Sequence, residues 1–275
     1  MNGSYSRRGL SLVLLFLIFT ANSLAGDVKP SILIIGATAK SAKQIIGQAL
    51  DRGYEVIGLA RRPEAVSVQH ERLTVVKGDV YELATLEAAM TGREVVISMI
   101  APRFNPDEAI GKVDLFTVGT GNILEAMKRK GNKRFLVASS LAVEEQVPDA
   151  EPTGDNMGQM WIWNARFLYR DMANMETLVR ESGLEYVIFR PPFLVEEPMQ
   201  DDMKISIGKD SPKGRILAYA DFAHFVLDQV ESNDHVGQVV GLYSDRKLQW
   251  GENVDFEKLA EEARASKALE EANQE

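Results

Sequence analysis

The 275-residue chain contains no cysteine and only three histidines. The absence of thiols excludes disulfide bonds, thiolate metal sites and cysteine nucleophiles. The histidines are far apart and follow none of the spacings of metal-binding motifs, so no metal site is predicted.

A dense basic stripe is also lacking, and the net charge is −9. Because nucleic-acid binding needs concentrated lysine and arginine, we expect a small-molecule partner and no nucleic acid.

Hydrophobic runs long enough to suggest a membrane segment are limited to the N-terminus. The run "LSLVLLFLIFTA" follows Arg7 and Arg8 and precedes the small residues "SLA", which is typical of a cleavable export signal. We predict a signal over 1–25, export to the periplasm, and no stable membrane span after cleavage. A membrane anchor is the alternative, although the run is short for a permanent span. "SRRGLSL" also resembles a twin-arginine signal, so export of a folded or of an unfolded chain stays open.

Beyond the N-terminal segment, short β-branched runs alternate with segments of helical periodicity. This alternation predicts an α/β fold, a Rossmann doubly wound parallel sheet with helices on both faces. Six strands are predicted to begin at Ile32, Tyr54, Arg72, Glu94, Arg134 and Glu185, with helices at about 38–52, 82–91, 107–130 and 161–182. After them we predict a strand near 204–208, a helix at about 220–231 and the strand "QVVGLY". The domain covers 30–245, and 246–275 is predicted to be an acidic C-terminal helix or tail.

The turn "GATAKSA" joins the first predicted strand to the first helix. In doubly wound proteins this turn holds a pyrophosphate against the helix N-terminus. Gly36 is at the first position of a G-x-x-G-x-x-G pattern, and Ala39 and Ala42 replace the other two glycines. Alanine at the third position is compatible with helix packing, whereas the methyl group of Ala39 lies where the backbone approaches phosphate. The turn residues predicted to contact the cofactor are Gly36, Thr38, Ala39, Lys40, Ser41 and Ala42.

Two arginines, Arg61 and Arg62, follow the second predicted strand, and no acidic residue is placed there to bind a ribose hydroxyl. Guanidinium groups at this position bind a 2′-phosphate through charge-assisted hydrogen bonds. The pair therefore favours NADP(H) over NAD(H). The alternative is that both are surface arginines without a ligand.

Five segments occur in a characteristic order: "ILIIGAT", "VIGLARRPE", "VVKGDV", "GNILEAMKRKGNKRFLVASS" and "SGLEYVIFRPPFL". This order resembles the atypical short-chain dehydrogenase/reductases, notably the NmrA-like and flavin or biliverdin reductase-like NAD(P)-binding group, over about residues 30–245. The resemblance implies that Asp79 and Val80 lie beside the adenine and that Ala101 lines the cofactor cleft.

The usual catalytic pair of the wider superfamily is missing. In typical members a tyrosine donates the proton and a lysine four residues later lowers its pKa. Tyr169 begins the corresponding helix region, but Ala173 replaces the lysine and no lysine occurs within 134–203. The flavin reductase-like branch also lacks the pair, and there a serine at the end of the fifth strand positions the acceptor. By that resemblance Ser139 is predicted to contact the cofactor and Ser140 to be catalytic, and the alternative is that both are small residues closing the strand. Tyr169, from its place in the wider superfamily, is the other predicted catalytic residue.

Other departures leave the chemistry open. Met172 stands where that branch has a polar residue able to donate a proton, so the proton would come from Tyr169, Arg166 or water, unless the acceptor needs none from the protein. The stretch "MGQMWIWNARFLY" is either the wall of a cleft for a flat ligand or a helix packed by its aromatic side chains. The sequence thus predicts an NADP(H)-binding oxidoreductase that transfers hydride to a small planar acceptor. The alternative is a non-catalytic NAD(P)-binding sensor or assembly factor with a degenerate active site.

Overall fold

The computed structural model describes residues 29–102, 113–144, 148–153, 157–208, 212, 214–249, 251–252, 254–255, 258, 261–262 and 264–265. The predicted export signal at 1–25 lies outside these residues, as does most of the predicted tail. Within the described ranges, no helix has both the length and the apolar character needed to cross a bilayer.

The described chain forms ten strands and six α-helices. The strands are β1 (Ile32–Ile35), β2 (Val56–Ala60), β3 (Leu73–Lys77), β4 (Val95–Ser98), β5 (Arg134–Ala138), β6 (Glu185–Arg190), β7 (Phe193–Val195), β8 (Lys204–Ile207), β9 (Ile216–Ala218) and β10 (Gln238–Tyr243). The helices are α1 (Lys40–Asp51), α2 (Leu83–Met90), α3 (Leu115–Lys130), α4 (Met157–Asn164), α5 (Arg166–Glu181) and α6 (Tyr219–Glu231). The predicted helix 161–182 is interrupted at Ala165, which separates α4 from α5.

Eight strands form one sheet in the order β3-β2-β1-β4-β5-β6-β10-β8. All neighbouring strands are parallel except β10 and β8, which pair antiparallel at one edge. The order reverses between β1 and β4, so β1 and β4 are neighbours although β2 and β3 lie between them in sequence. This arrangement confirms the predicted Rossmann doubly wound fold and creates a crevice at the carboxyl ends of β1 and β4. Strands β7 and β9, which the sequence pattern does not predict, form a separate two-stranded sheet.

Both faces of the central strands of the sheet are buried. In β1, Ile32 and Ile34 belong to a core cluster with α1 and α6, whereas Leu33 and Ile35 belong to a second cluster with α2, α3 and α5. Successive side chains of a strand point to opposite faces, so a strand covered on both sides must be apolar throughout. The continuous apolar run of β1 is therefore a direct result of its central place in the sheet.

Candidate functional site

The turn after β1 passes very close to the end of β4. Gly36 has a φ of 82°. A Cβ atom on this residue would lie 2.7 Å from the carbonyl oxygen of Met99, which is closer than real Cβ contacts allow. Both the conformation and the contact require glycine here, and the predicted role of Gly36 as the turn-making residue agrees with this geometry.

Ala39 precedes α1 with a φ of −67° and a ψ of 148°, which is extended backbone that any residue adopts. Its side chain packs against the core cluster beside α1. No described side chain caps the N-terminus of α1, and its first turn holds no acidic residue. The unpaired N–H groups and the positive end of the helix dipole are therefore suited to bind a phosphate. The turn forms with alanine at position 39, and the predicted closeness of its methyl group to a phosphate stays a prediction.

The remaining turn residues differ in their surroundings. Thr38 is exposed, Ser41 is half-buried, and Ala42 is completely buried in the core. The burial of Ala42 agrees with a packing role for the third position of the motif. Lys40 forms an ion pair with Glu262 of the C-terminal segment, with 2.8 Å between Nζ and Oε2.

A cleft of about 600 Å³ lies at the carboxyl ends of β1, β2, β3 and β4. The predicted cofactor residues that line it are Gly36, Thr38, Ala39, Arg61, Arg62, Asp79, Val80 and Ala101. Lys40, Ser41, Ala42 and Ser139 are predicted cofactor residues outside this lining. The fold thus brings together residues from four separate strand ends, as expected for a ligand site of an open α/β sheet.

The loop after β3 is fixed by contacts that the sequence did not reveal. Asp79 accepts a hydrogen bond from the backbone N–H of Tyr81, at 3.0 Å, and the carbonyl of Val80 accepts one from Asn122, at 2.9 Å. Gly119 of α3 lies against Val80, and a Cβ atom there would be 2.9 Å from the Val80 side chain. The close approach of α3 therefore determines the position of this wall of the cleft.

Tyr81 and Asp114 also line the cleft and were not among the predicted site residues. The Tyr81 hydroxyl donates a hydrogen bond to Asp114, with 2.9 Å between the oxygens. Partial burial and this hydrogen bond to a carboxylate raise the pKa of Tyr81 to about 12. The phenol consequently stays protonated and remains a donor at neutral pH. The bond connects the loop after β3 to the residue before α3.

Asp114 is at the N-cap position of α3 but does not cap the helix. Instead, Asp171 of α5 accepts hydrogen bonds from the backbone N–H groups of Phe116, at 2.7 Å, and Thr117, at 3.2 Å. The Thr117 hydroxyl also donates to Asp171. A carboxylate near the N-terminus of a helix satisfies unpaired N–H groups and interacts favourably with the helix dipole. The cap of α3 is therefore supplied by another helix.

Ser139 is directed into the protein rather than towards the cleft. It is buried, and its hydroxyl donates to Glu176 of α5 at 2.6 Å. Glu176 also accepts two hydrogen bonds from Arg190, at 2.8 and 2.7 Å, and one from Arg180. Burial acts to raise the pKa of Glu176, but the hydrogen bonds from Arg190 and Ser139 outweigh it and hold that pKa below its usual value. In this structure the Ser139 hydroxyl is thus engaged in a buried ion-pair network.

The two predicted catalytic residues lie outside the cleft lining. The Ser140 hydroxyl accepts a hydrogen bond from the backbone N–H of Ala142, at 3.1 Å. The Tyr169 hydroxyl accepts one from the indole N–H of Trp161, at 2.7 Å, and Trp161 contacts Phe193 edge to face. The catalytic roles of Ser140 and Tyr169 stay predictions.

The aromatic stretch that contains α4 is largely packed against its own neighbours. The Arg166 guanidinium lies over the rings of Trp163, at 4.0 Å, and Phe167, at 4.5 Å. Met172 contributes to the core cluster with α2, α3 and α5. Among the residues that the structure describes, no group of three or more metal-ligating side chains occurs.

Comparison with known proteins identifies related sequences. The sequence profile of the NAD(P)H-binding family matches residues 36–233. Photosystem II assembly factor Ycf39 of Cyanophora paradoxa is 29% identical over 227 residues, which cover 78% of this chain and 64% of that protein. A (4-alkanoyl-5-oxo-2,5-dihydrofuran-3-yl)methyl phosphate reductase of Streptomyces griseus is 29% identical over 160 residues, covering 58% of this chain and 46% of that protein. The chain thus spans less than two thirds of the length of both relatives.

A solved short-chain dehydrogenase/reductase of Veillonella parvula, in complex with NADP, has the same fold, with a TM-score of 0.60 and 20% identity. The match covers 82% of this chain and 97% of that chain. The region matched by the family profile extends from the turn after β1 to beyond α6. This family match agrees with the prediction of a nicotinamide nucleotide cofactor and with the resemblance to atypical short-chain reductases. The chain therefore belongs to the NAD(P)H-binding family.

Proposed function

We propose that this protein is an NADP(H)-dependent oxidoreductase that transfers a hydride to a small planar acceptor such as a flavin or a quinone. The observation that supports it most directly is the composition of the cleft. One side holds Thr38 and Ala39, which lead into the uncapped N-terminus of α1, and Arg61 and Arg62 lie past the end of β2. These two features suit the pyrophosphate and the 2′-phosphate of one NADPH molecule.

The cleft residues fit such a cofactor by their chemistry. The N–H groups at the start of α1 would bind the pyrophosphate, and Gly36 lets the turn pass beside Met99 without a clash. Asp79 and Val80 would adjoin the adenine, and Ala101 would form part of the apolar lining. NADPH, when bound, supplies the hydride. By the resemblance to the wider superfamily, Tyr169 would donate a proton to the reduced acceptor.

A second candidate function is binding of the nucleotide without catalysis, as in a sensor or assembly factor. The inward hydrogen bond from Ser139 to Glu176 favours it, because a hydroxyl used by the ion-pair network is not presented to an acceptor. The Cyanophora relative, whose name describes it as an assembly factor, also favours it.

Calorimetry with NADPH and NADH on the full chain tests the proposal. We expect NADPH to bind at least about tenfold more tightly than NADH, since a 2′-phosphate gains charge-assisted hydrogen bonds. The Arg61→Ala/Arg62→Ala variant should lose this preference and keep its affinity for NADH. Arg129→Ala/Lys130→Ala removes two cations from the end of α3 and should keep the preference. Absence of binding of either nucleotide at millimolar concentration would refute the proposal.

The two candidate functions differ in turnover. The oxidoreductase should oxidise NADPH in the presence of flavin mononucleotide or a soluble quinone, and the rate should fall in the double arginine variant. Tight NADPH binding without oxidation by any acceptor in the series would support the binding-only function.

Export through the signal at 1–25 is proposed from the sequence. The test is N-terminal sequencing of the protein recovered from the periplasmic fraction of a bacterial host. A mature N-terminus near Gly26 would support export, and an intact Met1 in the cytoplasmic fraction would refute it.

A further inference from the structure

Tyr81 is a large aromatic side chain that stays 47% exposed on the wall of the nucleotide cleft. It follows Asp79 and Val80, the residues predicted to adjoin the adenine. The residue is held at both ends. Its backbone N–H donates to Asp79, at 3.0 Å, and its hydroxyl donates to Asp114, at 2.9 Å. The backbone bond fixes the main chain of Tyr81 within its own loop, and the hydroxyl bond to Asp114 restrains the ring against this wall.

Asp114 can accept the Tyr81 hydroxyl because another residue caps α3. An aspartate at an N-cap position ordinarily turns its carboxylate back to the N–H groups of the first helical turn. Here Asp171 accepts those N–H groups, and Asp114 accepts the phenol of Tyr81 instead. Because Asp171 of α5 caps the helix, the Asp114 carboxylate can orient the Tyr81 side chain in the cleft.

A half-exposed ring in a fixed orientation is a ready surface for a flat ligand. Base–aromatic stacking contributes to binding because both faces are apolar and flat. Fixing the ring before binding reduces the entropy that is lost when the ligand docks. The raised pKa keeps the phenol neutral and bonded to Asp114 throughout the physiological pH range.

We propose that Tyr81 is the positioning residue for the adenine of the cofactor, which stacks on its ring, and that Asp114 holds the ring in place. This inference rests on the proposed function, because it assumes that the cleft binds a nicotinamide adenine dinucleotide. The adenine contact selects a dinucleotide over a nicotinamide mononucleotide, and it places the nicotinamide at the far end of the cleft from Tyr81.

The test uses the full chain with three ligands: NADPH, adenosine 2′,5′-bisphosphate and reduced nicotinamide mononucleotide. In Tyr81→Ala, calorimetry should give at least about fivefold weaker binding of the two adenine ligands, because stacking on an aromatic ring is lost. The mononucleotide should bind as in the wild type. Tyr81→Trp should restore most of the affinity. Tyr81→Phe and Asp114→Ala should show a smaller loss, since the ring remains but is no longer held.

Two controls make the outcome decisive. Met199→Ala removes an equally exposed hydrophobic side chain outside the cleft and should leave all three affinities unchanged. Tyr81→Leu fills the space without an aromatic face and should behave like Tyr81→Ala, with a melting temperature close to that of the wild type. Unchanged affinity of Tyr81→Leu for both adenine ligands would overturn the role of Tyr81.

The same experiments separate this inference from the proposed function. If the wild type binds both adenine ligands and Tyr81→Ala weakens them, the inference stands even if no acceptor is reduced. If NADPH is oxidised by an acceptor but Tyr81 variants bind it normally, the reductase stands and the inference fails. Absence of binding of both adenine ligands to the wild type refutes both.

Discussion

Asp171 of α5 accepts a hydrogen bond from the backbone N–H of Phe116 in α3, across 55 positions of sequence and a distance of 2.7 Å. Both partners are buried. The bond lets one helix supply the N-terminal cap of its neighbour, and it joins the two helices on the face of the sheet that carries α2. Because α3 also forms a wall of the nucleotide cleft, this contact links the packing of the fold to the shape of the site.

Asp171→Ala should lower the free energy of unfolding by about 2 kcal/mol or more, because it removes a cap and leaves buried N–H groups unpaired. Asp114→Ala, at the N-cap position itself, should cost less than about 1 kcal/mol, since it removes one exposed hydrogen bond. Urea denaturation of both variants measures the difference. A larger loss in Asp114→Ala would show that Asp114 is the effective cap in solution.

Gly36→Ala should destabilise the fold by at least about 2 kcal/mol and reduce NADPH binding. The new methyl group would meet the Met99 carbonyl, and a positive φ is unfavourable for alanine. Gly47→Ala, within α1, is the matched control. No atom lies within 4 Å of a Cβ there, so alanine should stabilise the helix by about 0.5–1 kcal/mol. Thermal melting of the two variants should therefore change in opposite directions.

Glu176→Gln should cost about 3 kcal/mol in the free energy of unfolding, because Arg190 would lose its buried partner and keep only its ion pair with the half-buried Glu144. Glu185→Gln is the comparison, since its ion pair with Arg134 involves a half-exposed carboxylate and should contribute less than about 1 kcal/mol. Urea midpoints at neutral pH distinguish the two. Similar effects of both substitutions would mean that the buried network adds no stability beyond a surface pair.

The pH dependence of stability should also report on Glu176. Its folded-state pKa lies below the usual value of 4.5, so the ion pair contributes fully above that pH. As the pH falls below 4.5, the unfolded state takes up the proton first, and stability is lost progressively until the pH passes the folded-state pKa. The difference in stability between the wild type and Glu176→Gln should therefore shrink on acidification below pH 4.5. A difference independent of pH down to 3 would contradict this assignment.

Glu262→Gln should strengthen NADPH binding by about twofold to fivefold. The carboxylate of Glu262 pairs with Lys40 at the start of α1, where it competes with a phosphate for the positive end of the helix. Glu261→Gln makes the same charge change at the neighbouring position and should have a smaller effect. Calorimetry at low and high salt measures the NADPH affinity of both variants. The gain in affinity should decrease at high salt because the charges are screened.

The sequence indicated where the cleft would form but not which groups would be oriented in it. The turn at Gly36 and the arginines after β2 were found because they are tied to strand ends, and strand ends can be located from local hydrophobic runs. The capping Asp171 gave no local signal, since its partners are 54 and 55 positions away. Tyr81 was missed for the same reason, because its hydrogen bond to Asp114 spans 33 positions.

Ala39 and Ser139 have surroundings that the sequence did not reveal. Ala39 has ordinary dihedral angles and packs against the core cluster beside α1, and the effect of its methyl group on the approach of a phosphate stays a prediction. The Ser139 hydroxyl donates to the buried Glu176, and the contact of Ser139 with the cofactor stays a prediction.

The amino-acid sequence by itself determined the order of strands and helices, the doubly wound class and the strand ends at which the cleft lies. Those features follow from periodic burial, which acts between residues a few positions apart. Only the tertiary structure decided which polar side chains turn inward and which line the cleft. The reason is that a buried polar group must find a hydrogen-bond partner, and the nearest partner belongs to a segment that only folding brings close.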